Sequence, residues 1–159
     1  MTDMLVRLYD LPAVEPHLAA LAARGITCRR PESYERTAVL AFVAAEFPGW
    51  VDETTIALTR VPATCFLAIQ HQRILGFACY HATRPGFFGP TGVTRPSRRL
   101  GIGAALLLTT LHAMAAEGYA YAIIGAVGPA DFYRRVVGAI PIPSSEPGIF
   151  GNRIDQPAP

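Results

Sequence analysis

Lysine is missing from this 159-residue chain; all 14 of its Lys-or-Arg positions are arginines, beside four histidines. That absence excludes a nucleotide-binding P-loop, whose Gly-Lys-Ser/Thr end puts an ammonium on the phosphates. Cysteine is scarce as well. Cys28, Cys65 and Cys79 are widely scattered and odd in number. Such spacing is neither a disulfide framework nor a zinc pattern. It reads as buried, reduced thiols in a cytoplasmic protein, with no metal site. Charged residues make up only 16%, and the formal net charge is +2, too small to argue for or against a nucleic-acid partner. No long hydrophobic run is present. The most apolar stretch, residues 100–116, contains Thr109, Thr110 and His112. It falls short of the roughly 18–20 residues of a membrane span, so a buried helix and no membrane partner are expected. The start, Met1-Thr2-Asp3-Met4, lacks the basic region and apolar stretch of a secretory leader.

What remains is apolar and rich in turns. Hydrophobic residues make up 51%, with 14 Gly and 14 Pro. This suits one core, and we expect a single domain over residues 1–159. Residues 4–11 alternate roughly and read as a first strand, ended by Pro12. Leu18, Leu21 and Ala22 recur at helical spacing within residues 14–24, and Gly25 stops that helix. Pro31 opens a second helix, with Tyr34, Ala38, Ala41, Phe42 and Ala45 as its repeating face; Pro48-Gly49 breaks it. Residues 51–61 fit a short helix or an extended segment equally. Residues 64–70, 74–81 and 87–94 are strand-like runs separated by turns, His71-Gln72-Arg73 and Arg84-Pro85-Gly86. They predict an antiparallel meander, with a bulge or bend at Gly89-Pro90. A helix over residues 101–117 carries Leu107, Leu111 and Met114 on one face. Residues 119–127 are apolar at both parities, a pattern for a strand buried on both faces. Residues 130–137 form a short helix stopped by Gly138. Strands near 139–142 and 148–153 make a last hairpin, and residues 155–159 fray. The order β-α-α-β-β-β-α-β-α-β-β predicts an α/β fold: a mixed, mostly antiparallel central sheet flanked by helices.

The segment Gly92-Val93-Thr94-Arg95-Pro96-Ser97-Arg98-Arg99-Leu100-Gly101-Ile102-Gly103-Ala104 carries the chemistry. A helix start leaves backbone N–H groups without intrahelical partners, and the helix dipole favours an anion there by roughly 0.3–1 kcal/mol. Gly101 and Gly103 let a phosphate approach the backbone. Arg98 and Arg99 add charge and fork geometry. The site suits a ligand with several negative charges, such as a pyrophosphate. A dinucleotide fingerprint fits badly: its third small position is occupied by Leu106, and the preceding strand belongs to a meander.

Arg98-x-x-Gly101-x-Gly103 resembles the Arg/Gln-x-x-Gly-x-Gly/Ala motif of the GNAT superfamily of acetyltransferases. The resemblance extends over residues 64–142 in the order of elements. It includes Asp131-Phe132-Tyr133-Arg134-Arg135-Val136-Val137-Gly138-Ala139, similar to the family's Phe/Leu-Tyr-x-x-x-Gly-Phe segment with one extra residue. It implies an acetyl-CoA-binding core over about 64–142 and a variable acceptor side over about 1–60. It further implies that the strand at Gly92, Val93 and Thr94 pairs with the pantetheine arm. The amides of Arg99, Leu100, Gly101, Ile102, Gly103 and Ala104 would hold the pyrophosphate, with Arg98 beside them. Tyr133 would act as general acid near the sulfur; with an unperturbed pKa of about 10 it keeps its proton at pH 7. Read as a residue alone, Tyr133 is also a half-buried helix tyrosine. One feature departs from the family. Many members carry an Asn after the strand preceding this helix, whereas this chain has Ala126-Val127-Gly128-Pro129. Arg135 offers a substitute phosphate contact or a solvated charge.

An alkylamine acceptor is about 99.9% protonated at pH 7, so a base is needed. Glu46 is the first candidate, beside the acceptor wall offered by Pro48-Gly49-Trp50. His81 and Asp131 are the others, and Asp131 could instead cap its helix. Trp50, Phe87 and Phe88 suggest a partly apolar acceptor wall. The expected activity is acetyl transfer from acetyl-CoA to a primary amine of a small molecule or an exposed amine. The alternative is a catalytically weak acyl-CoA sensor or interaction domain on the same scaffold. A nucleic-acid module using Arg95, Arg98 and Arg99 is disfavoured, because the helix after them is almost wholly apolar. Several family members pair, and the apolar C-terminal strands offer a surface for a homodimer.

Overall fold

The computed structural model describes residues 1–154; the expectation for residues 155–159 falls outside the described residues. Among the described residues seven strands form one sheet: β1 (Met4–Arg7), β2 (Thr27–Arg29), β3 (Cys65–Gln70), β4 (Arg73–Tyr80), β5 (Phe87–Val93), β6 (Tyr121–Ile124) and β7 (Ile140–Pro141). Five α-helices accompany them there: α1 (Glu15–Ala22), α2 (Arg36–Glu46), α3 (Val51–Leu58), α4 (Ile102–Ala116) and α5 (Ala130–Val137). The sheet order is β2-β3-β4-β5-β6-β1-β7. Every neighbouring pair is antiparallel except β5 and β6. The mixed, mostly antiparallel sheet expected from the sequence is therefore present.

Alternation along the meander separates two cores. Phe66, Ala68, Ala78 and Tyr80 point into one, with α4. Cys65, Leu67, Phe77 and Cys79 point into the other, against Val39 and Val43 of α2 and Ala57 of α3. This is the period-two rule of a strand covered on both faces. Helix α4 buries Ile102, Leu106, Leu107, Leu108, Leu111 and Met114 at 1% exposure or less. At about 1.5–3 kcal/mol for each large apolar side chain, it is a principal source of the fold's stability. The turn at His71 and Gln72, with φ of 47° and 62°, joins β3 to β4 as a tight hairpin. The predicted bulge is real. Between the pairs Ala78↔Thr91 and Tyr80↔Phe88, Cys79 alone faces Gly89 and Pro90.

Several local expectations are corrected. Residues 51–58 resolve to helix, opened by Asp52 and Glu53 in the first turn. The short strand β2 had no sequence signal, since three residues carry too little alternation to read. Helix α2 buries Val39 and Val43, while Tyr34 is 82% exposed and Ala38, Ala41 and Ala45 are exposed. Alanine fits either face of a helix, so its spacing misled. Strand β6 is four residues rather than nine, and Tyr121 is 48% exposed. Residues 148–150 form a 3-10 turn, so no last hairpin exists; β7 pairs with β1 instead. No helix among the described residues is long and apolar enough to cross a membrane.

Candidate active site

The site begins where two parallel strands part. Strands β5 and β6 pair only at Phe87↔Ile123 and Phe88↔Ile124. Beyond Phe88, β5 continues beside β4 to Val93, whereas β6 ends at Ile124. A gap therefore opens toward the end of β5, and the chain turns there into α4.

The turn leaves backbone donors free at the start of α4. Thr94 N–H donates to the Leu75 carbonyl at 2.9 Å, keeping the end of β5 on the sheet. Arg99 (φ 67°) and Gly101 (φ 85°) both adopt the left-handed conformation. Gly101 is the N-cap residue and adopts it without a Cβ penalty. The first intrahelical bond runs from Ala105 N–H to the Gly101 carbonyl at 3.1 Å. The amides of Ile102, Gly103 and Ala104 thus lack helical acceptors. Among the described residues no side chain caps them, and no acid lies in the first turn. A left-handed residue followed by helical ones aims successive N–H groups at a common point. Arg95, Arg98 and Arg99 are exposed, and none is in an ion pair among the described residues.

The other predicted positions take different parts. Leu100 is half-buried, and the Ile102 side chain is core, so only its amide faces the helix mouth. A Cβ at Gly103 would meet Phe132 at 3.6 Å and Val93 at 3.9 Å, so this glycine borders the α5 contact. Val93 packs beside the α4 core, and the Thr94 hydroxyl bonds to that of Ser97 at 3.0 Å. Tyr133 is 6% exposed, set edge-on against Phe88 and Phe132. Burial pushes its phenol up to about 12.

Glu46 ends α2 and is exposed. It sits on the α2–α3 face of the sheet, while Tyr133 belongs to the α4 face, so the two candidates flank the sheet rather than touch. His81 is at the opposite end of α4, with its Nε2 3.1 Å from Glu117. Asp131 accepts from Arg134 at 2.7 Å on the surface, and Arg135 is exposed. Of the proposed acceptor wall, Trp50 stacks on Phe47, whereas Phe88 is core.

Three residues at the site went unread in the sequence. The Phe47 ring lies over β5 so closely that a Cβ on Gly92 would meet it at 2.7 Å. Phe150 joins Phe87 against Gly125, just past the end of β6. Buried Asp3 accepts the Ala126 N–H at 2.8 Å, fixing the loop where the resembled family carries its Asn. Phe47 had a local cue in the adjacent Pro48-Gly49 break; Asp3 and Phe150 had none.

The sequence profile of the acetyltransferase (GNAT) family matches residues 29–138. The chain belongs to the GNAT acetyltransferase family. Solved structures agree on the fold. A GCN5-related N-acetyltransferase from Sphaerobacter thermophilus aligns with a TM-score of 0.65 at 23% identity, over 89% of this chain and 48% of that one. One from Kribbella flavida gives 0.58 at 21% identity, over 88% and 53%. The glucosamine N-acetyltransferase region of a fungal multi-domain beta-N-acetylglucosaminidase gives 0.74 at 17% identity, over 89% and 19%. This GNAT chain thus spans about half the length of the Sphaerobacter and Kribbella neighbours, and less of the fungal one. A comparison with curated protein sequences returns no match.

Proposed function

We propose that the protein transfers an acetyl group from acetyl-CoA to a primary amine, borne by a small molecule or exposed on a larger one. The observation that carries this reading is the uncapped, acid-free mouth of α4, with Arg98 and Arg99 beside it, at the point where β5 leaves β6. In this reading the amides of Ile102, Gly103 and Ala104, with Arg98 and Arg99, hold the pyrophosphate. Acetyl-CoA supplies an activated acyl thioester. The edge of β5 at Val93 and Thr94 aligns the arm that carries it.

Tyr133 then holds a proton for the departing sulfur. Its raised pKa means that the proton is not lost beforehand, and the same desolvation raises the proton affinity of a thiolate beside it. Glu46 takes the ammonium proton, directly or through water, from the opposite face. Phe47 and Trp50 supply an apolar wall for the acceptor. Asp3 keeps the far wall of the gap in place by holding Ala126.

Isothermal titration with acetyl-CoA tests the reading, on wild type and Ala104→Glu. An acid in the first turn of a helix stabilises it by about 0.3–1 kcal/mol, and a circular-dichroism melt checks that the variant is folded. It also sets a negative charge among the amides that the pyrophosphate needs. Micromolar binding lost in Ala104→Glu supports the reading; no binding by folded wild type overturns it.

A further inference from the structure

A second cavity, with polar side chains set beside apolar Val61, Pro62 and Ala113, lies at the C-terminal end of α4. It holds about 490 Å³, and Arg30, Arg60, Thr64, His81 and Glu117 are its polar side chains. A 15-residue helix is about 22 Å long, so this cavity is remote from the glycine-rich mouth.

Its polar groups are held in a single network. Arg30 lies over the Phe66 ring, 4.4 Å from the centroid, and donates to the Ala63 carbonyl and, at 2.9 Å, to the Tyr80 hydroxyl. Tyr80, fully buried as a residue, donates to Glu117 Oε1 at 2.6 Å. Glu117 Oε2 lies 3.1 Å from His81 Nε2. The Gly86 N–H donates to His81 Nδ1 at 2.9 Å. Nδ1 is therefore the acceptor nitrogen, and Nε2 carries the proton donated to Glu117. His81 is 5% exposed and holds a left-handed φ of 55°, a conformation that persists only where its surroundings over-determine it.

The network leaves capacity of both signs facing the cavity. A guanidinium has five N–H donors. Among the described residues Arg30 commits two, and Arg60 commits one, a 3.3 Å bond to the His81 carbonyl. Neither arginine is in an ion pair among the described residues. Among the described residues each Glu117 oxygen receives one donor and keeps a lone pair, and the side chain is 42% exposed. The Arg30 guanidinium and the Glu117 carboxylate hang on the same Tyr80 hydroxyl, so a cationic fork and an anionic group sit side by side at fixed separation.

We propose that this cavity binds a small zwitterion of the amino-acid class, its carboxylate on Arg30 and Arg60 and its ammonium on Glu117. It is a binding site apart from the acyl-transfer centre and stands independently of that reading. Arginine Nε–H resonances of the whole chain, titrated with L-alanine, acetate and ethylammonium, test it. L-Alanine should shift the Arg30 and Arg60 signals saturably, and acetate should bind about tenfold more weakly. Arg60→Gln, which loses one long surface bond, should weaken L-alanine about tenfold with the backbone spectrum elsewhere unchanged. Glu117→Gln should erase the preference for L-alanine over acetate. Ala104→Glu should leave all of these shifts intact, so the two readings fail separately. No saturable shift with L-alanine, equal affinity in Arg60→Gln, or equal binding of acetate and L-alanine by wild type would overturn the proposal.

Discussion

Tyr133 shows how burial sets the chemistry of one side chain. Desolvation alone lifts its pKa to about 12, so the folded protein favours the neutral phenol. The stabilisation from keeping that phenol neutral is complete below pH 10 and fades as pH rises from about 10 toward about 12. Activity should show no alkaline loss from Tyr133 below about pH 10. Tyr133→Phe should cut turnover by about 10²–10⁴-fold while leaving acetyl-CoA affinity unchanged, measured on an acceptor from an amine screen. Equal loss of affinity would make the hydroxyl a binding group instead. The thiols behave in the same direction. Burial pushes Cys28 up to about 11 and holds Cys79 well above the ordinary thiol value, which suits the reduced, unreactive cysteines expected from their spacing.

Helix α4 is the element on which both ends of the molecule depend. Its N-terminus offers free amides, its C-terminus positions Glu117, and between them it is buried almost all round. The hydroxyls of Thr109 and Thr110 within it have no hydrogen-bond partner among the described residues. Thr110 is 0% exposed, and an unmet buried hydroxyl costs about 1–3 kcal/mol. Thr110→Val, close to it in shape, should therefore raise stability by about 1 kcal/mol or more in denaturant unfolding. An unchanged midpoint would mean that the hydroxyl is satisfied by water. Helix α2 gives the contrasting lesson. Its existence and its end at Pro48 were readable, but its buried face was not, because alanines carry no strong preference for either side.

Across the molecule, the position of β1 departs most from chain order. It lies inside the sheet between β6 and β7, although sequence order places it first. Met4 and Val6 point into the α4 core, and the backbone on either side is paired. Removing residues 1–7 should therefore unfold the protein or expose apolar surface to a dye such as ANS, rather than trim a tail. A truncated chain with an unchanged melting transition would contradict that placement.

The meander, the glycine-rich turn and the three glycine-ended helices were all legible, because local periodicity and φ preferences decide them over a few residues. The turn into α4 belongs to this class: the left-handed conformations of Arg99 and Gly101 are backbone geometry that adjacent residues dictate. Long-range approach decided the rest. Asp3 meets Ala126, Phe47 meets Gly92, and Arg30, Tyr80, His81 and Glu117 meet around one cavity, although the sequence separates them widely. No periodicity records which distant side chains a folded sheet will bring within hydrogen-bonding reach; that follows only from strand order and from the packing of α4 across it.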